Sequence, residues 1–90
     1  MLYNVYENGS KLVKRSNSLN DARKYSMNQV IGKNRTHYWI CRVRKNNKLP
    51  LVPVGDVYYP GFKGHEVLYL NWGTKKNYAI RKDGSLGKEY

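Results

Sequence analysis

Between Thr36 and Lys45 the side chains alternate, with Trp39, Cys41 and Val43 on one side of an extended chain and Tyr38, Ile40, Arg42 and Arg44 on the other. A period of two with one apolar side identifies a β-strand in an antiparallel sheet, covered on one face and open on the other. On this reading Trp39, Cys41 and Val43 turn to the core and Tyr38, Arg42 and Arg44 to solvent. The rest of a 90-residue chain must then supply partner strands and a cover for that sheet. Such a length suits one domain with one modest core.

The flanking segments supply both. Tyr3, Val5 and Val13 fall at alternate positions around Asn8-Gly9, the residue pair a type I′ turn requires. A hairpin over residues 2–15 follows, with strands near Leu2–Glu7 and Ser10–Arg15. A helix over 18–31 comes next, with Ser18 as N-cap, Asp21 in the first turn and Gly32 at the C′ position. Leu19, Ala22, Met27, Val30 and Ile31 share one arc of it, and Arg23 within that arc is expected to snorkel or to pair with a carboxylate. Residues 49–66 carry Pro50, Pro53, Pro60 and three glycines, and read as a long aromatic loop with at most a short edge strand over Leu51–Val54. Residues 67–82 form a second hairpin turning across Gly73–Asn77. The expectation is an α+β domain, ββαβββ with one optional extra strand, its single helix packed on an antiparallel sheet.

Charge is the second constraint. Seventeen Lys and Arg stand against six Asp and Glu, a net +11. That exceeds the magnitude of about 2–8 that keeps a small domain soluble, and its self-repulsion calls for an anionic partner. Asn, Lys and Tyr make up 30 of the residues, an A/T-rich codon set associated with low-GC bacteria and their phages, but codon bias does not account for the scarcity of acids. The stretch Lys33–Lys48 holds Lys33, Arg35, Arg42, Arg44, Lys45 and Lys48 without one acid. Arg42 and Arg44 lie about 6.5–7 Å apart on one strand face, near the spacing of successive backbone phosphates. Tyr38 beside them, and Lys75 and Lys76 in the last hairpin, complete the expected nucleic-acid surface. Tyr58, Tyr59 and Phe62, in the proline-stiffened loop, form a second candidate, either a lid on the core or a partner-binding loop.

Other chemistries are poorly supplied. Cys41, one cysteine alone, makes no internal disulfide, fits a reducing cytoplasm, and reads as a small buried hydrophobe. His37 is four residues away, about 13 Å along a strand, too far to activate the thiol. One cysteine and two histidines make no recognisable metal set, and no phosphate-cradling glycine loop occurs, so neither metal nor cofactor is expected. No apolar stretch is long enough for a membrane span or a secretory core.

Tyr3 to Tyr25, about a quarter of the chain, is similar in outline to the strand–turn–strand–helix ending of AP2-like and integrase arm-type DNA-binding modules. The shared points are the Asn-Gly turn, basic second strand, capped helix start and Ala22 facing the sheet. The strand that precedes this unit in those modules has no counterpart here, and no residue roles are carried over. The leading expectation is a non-enzymatic cytoplasmic protein, monomer or homodimer, that binds DNA or RNA. The alternative is a phage or mobile-element inhibitor or adaptor, anti-restriction or anti-CRISPR in type, that binds an acidic host protein or nucleoprotein. A third reading, a metal-independent ribonuclease, would rest on His65 with Lys63 and Tyr59.

Overall fold

The structure, a computed structural model, describes residues 2–33, 36–43, 51–61 and 67–90, with the Lys33 side chain left aside. Strands β1 (Leu2–Glu7) and β2 (Lys11–Ser16) form the expected hairpin, and Asn8 and Gly9 take φ of 54° and 79°, the paired left-handed conformations of a type I′ turn. Helix α1 (Leu19–Lys33) follows, its first turn closed by Asp21 N–H donating to the Ser18 hydroxyl at 3.2 Å. Strand β3 (Tyr38–Val43) then pairs with β1 on the side away from β2, so the helix crosses over β1. Strands β4 (Val52–Tyr58), β5 (Leu68–Asn71), β6 (Lys76–Ile80) and β7 (Leu86–Glu89) add on in chain order. The fold is α+β: one antiparallel sheet ordered β2-β1-β3-β4-β5-β6-β7, with α1 packed across one face.

Four sequence expectations need correction. The faces of β3 are reversed: Tyr38 and Ile40 are fully buried under α1 with Val5, Val57 and Tyr69, and Trp39 lies half-buried on the opposite face. Both faces of β3 carry apolar residues, and Cys41 is also fully buried, so alternation alone could not choose between them. The Tyr38 hydroxyl escapes the core by donating to Glu7 Oε2 at 2.9 Å. In α1, Gly32 lies inside the helix and Ile31 is 67% exposed; Ala22, Arg23, Ser26, Met27 and Val30 make the buried stripe. Two of these five are polar, which hid the true face from an apolar count.

The third correction concerns the described part of 49–66, residues 51–61, where β4 is a central strand rather than a loop with an edge strand; 49–50 and 62–66 lie outside the described residues. Its Pro53 is tolerated at a bulge, where Ile40 pairs with Gly55 and Cys41 with Pro53, leaving Val54 as the extra residue. On the other side β5 pairs only with Gly55 to Tyr58, so no ladder bond is asked of Pro53. The fourth is the chain end beyond residue 82, where Asp83-Gly84 predicts a turn to a polar end but β7 follows and pairs with β6. A tight turn brings it back, with Gly84 N–H donating to the Arg81 carbonyl at 2.9 Å and Asp83 Oδ1 accepting from the Ser85 amide at 2.9 Å. The β5–β6 hairpin of 67–82 is present, turning over Trp72 to Lys75.

Candidate nucleic-acid interface

Arg42 and Tyr3 are direct cross-strand partners near one end of β3 and β1, on the face that α1 covers. Helix α1 starts above them, and Arg23, one turn in, points down to the same place. Arg23 is buried, and its partners are not carboxylates: Nε donates to the Gly84 carbonyl at 2.7 Å and Nη2 to Asn20 Oδ1. Its guanidinium carbon also lies 5.1 Å from the Tyr69 ring centroid. The turn between β6 and β7 is therefore what holds this arginine. Gly84 allows the approach, since its φ is +90° and a Cβ there would lie 1.9 Å from the Asn20 carbonyl oxygen.

Together these groups enclose an open recess of about 310 Å³. Arg23, Arg42, Tyr3 and Tyr69 supply its polar lining, and Leu19, Val52 and Val54 an apolar wall. No carboxylate lines it among the described residues. Tyr69 pairs with Val57, and its ring reaches diagonally over Gly55, where a Cβ would stand 2.3–2.4 Å from the end of that ring. The Tyr69 hydroxyl is buried without a well-formed hydrogen bond among the described residues, although Arg23 is close. Burial raises its pKa and the Arg23 charge opposes that rise only in part, so it stays a phenol at neutral pH.

The β5–β6 hairpin carries Asn71 and Gly73 to the rim of the recess. Asn71 Oδ1 organises the turn by accepting from the Gly73 and Thr74 amides at 2.8 and 3.2 Å. Trp72 at the tip is exposed, tethered by its indole N–H to Asp56 Oδ2 at 2.7 Å. Lys75 takes φ of 61°, a left-handed position where glycine or asparagine is usual, and its Nζ sits 4.3 Å from the Trp72 ring centroid. Lys76 is exposed and meets Glu89 at 3.5 Å.

Of the residues expected to bind nucleic acid, Arg42, Lys75 and Lys76 reach this end of the sheet. Tyr38 does not, since it is core. Arg35, Arg44, Lys45 and Lys48, and the side chain of Lys33, lie outside the described residues, as do Phe62, Lys63 and His65. Tyr58 belongs to β4, its hydroxyl donating to Asn77 Oδ1, and burial with the nearby Asp56 charge raises its pKa. Tyr59 is half-buried against the core. Arg23, Tyr69 and Trp72 were missed. Trp72 had a local signal, an aromatic before Gly73 and two lysines in a turn. Arg23 and Tyr69 acquire their roles only through contacts with distant strands. Comparison with protein-family models, curated proteins and solved structures finds no match to this chain.

Proposed function

We propose that this chain is a non-enzymatic nucleic-acid-binding domain whose contact surface centres on the β5–β6 hairpin tip and the adjoining Arg23/Arg42 recess. The observation that carries this reading is Lys75, a side-chain-bearing residue in a left-handed turn position, stacked on an exposed tryptophan. A non-glycine residue in that conformation costs roughly 1–2 kcal/mol, and strain of this kind collects at binding sites. An aromatic ring beside cations is also how bases and backbone are gripped together in sequence-tolerant binding. The net charge of +11 supplies the long-range attraction.

Fluorescence anisotropy with single-stranded DNA, RNA and duplex DNA at two salt concentrations tests it. Lys75→Gly is expected to stabilise the fold by about 1 kcal/mol, and to weaken binding of every sequence while lowering the salt slope by about one. Trp72→Ala is expected to weaken single-strand binding by about 1–3 kcal/mol. Binding unchanged in both variants would remove the hairpin tip from the interface. Weak, unselective binding of all three nucleic acids, abolished by salt, would reject the reading in favour of an acidic protein partner.

A further inference from the structure

The recess has features that general electrostatic attraction does not require. It brings two arginines and a buried phenol without a well-formed hydrogen bond to a place lined by no carboxylate among the described residues, with the apolar side chains of Leu19, Val52 and Val54 beside them. A buried hydroxyl without a good partner costs about 1–3 kcal/mol, a cost that an incoming acceptor would offset. The charges exclude a cation as occupant, and the wall asks for more than a bare anion. A volume of about 310 Å³ stands at the small end of ligand sites, which run from about 300 Å³ upward. Resting on the nucleic-acid reading, we propose that the recess is a nucleoside-phosphate site: Arg42 and the Tyr69 hydroxyl take the phosphate, and Leu19, Val52 and Val54 cover the nucleoside. Arg23, held by Gly84 and Asn20, adds fixed positive charge from above. The same chemistry is offered by the phosphorylated end of a strand and by a free mononucleotide.

The test is amide NMR on the whole chain, titrated in parallel with adenosine 5′-monophosphate, adenosine and inorganic phosphate. The monophosphate is expected to shift Leu19, Val54 and Gly73 saturably, and adenosine to leave them unmoved. Arg42→Gln should weaken the monophosphate about tenfold, the loss of one charge-assisted contact. Tyr69→Phe, which keeps the ring over Gly55, should weaken it severalfold while the spectrum stays folded. A 5′-phosphorylated oligonucleotide binding more tightly than its 5′-hydroxyl twin assigns the site to strand ends, and equal binding of the two assigns it to the free nucleotide. If oligonucleotides bind but the monophosphate leaves the recess unshifted, or both variants bind it normally, the pocket proposal falls and the nucleic-acid reading stands. If no oligonucleotide binds either, both fall.

Discussion

Single side chains in this protein are held by partners far away in sequence, and their burial decides their chemistry. Cys41 is the plainest case. Burial on β3 pushes its thiol up to about 11, opposed only in part by a backbone hydrogen bond from Asn4, so it stays a protonated thiol packed in the sheet at neutral pH. The folded-state pKa lies above the model-compound value of 9.0, so the associated stability is complete below about pH 9 and is lost as pH rises towards 11. Tyr58 and Tyr69 shift in the same direction and reinforce the loss at alkaline pH. Urea unfolding at about pH 8 and about pH 10.5 should show this fall, and Cys41→Ala should reduce it. An unchanged pH dependence in that variant would contradict the assignment. Gly84 is the second case, because both its φ and its contact with Asn20 forbid a side chain. Gly84→Ala should destabilise by about 2–3 kcal/mol, with loss of the Arg23 contact, measurable as a lower denaturation midpoint. The pair Asp83-Gly84 marks a turn in the sequence. That the turn lands on α1 is not marked there, because the contact spans 61 positions.

Among the elements, those defined by local rules were legible and those defined by packing were not. The β1–β2 hairpin follows from Asn8-Gly9, and the start of α1 from Ser18; both are interactions of a few neighbouring residues. Ser18→Ala should accordingly cost about 1 kcal/mol in equilibrium unfolding. Strand β4 follows no such rule. Its proline argues for an edge, yet β4 is a central strand: the Val54 bulge and the late start of β5 pairing leave Pro53 paired on the β3 side alone. Strand β7 has only four residues, Leu86–Glu89, and no alternation to announce it; it exists because the Arg81–Ser85 turn returns the chain beside β6.

At the scale of the molecule, the described residues form one helix on a seven-stranded sheet, so protection should be uneven across it. Strands β1, β3 and β4 have partners on both sides, and their residues Val5, Tyr38, Ile40 and Val57 are fully buried, whereas β2 and β7 are the sheet edges. Amide hydrogen exchange should therefore be slowest in β1, β3 and β4 and fastest at the two edges. Uniform protection across all seven strands would contradict that order. The lysines and arginine of β2, Lys11, Lys14 and Arg15, are suited to keep its edge from pairing with a second chain.

Composition, charge and short-range pattern determined that this chain is a basic α+β domain with an antiparallel sheet and one helix, because hairpin turns, caps and periodicity act over a few residues. Only the tertiary structure decided which face of β3 is inside. Burial there depends on where α1 crosses, and both faces carry apolar groups. It also decided the candidate site. Tyr3, Arg23, Arg42 and Tyr69 come from four elements and meet because α1 spans β1 and the β6–β7 turn clamps its arginine. No pattern along the chain encodes that meeting, since the distances that matter are measured across the sheet.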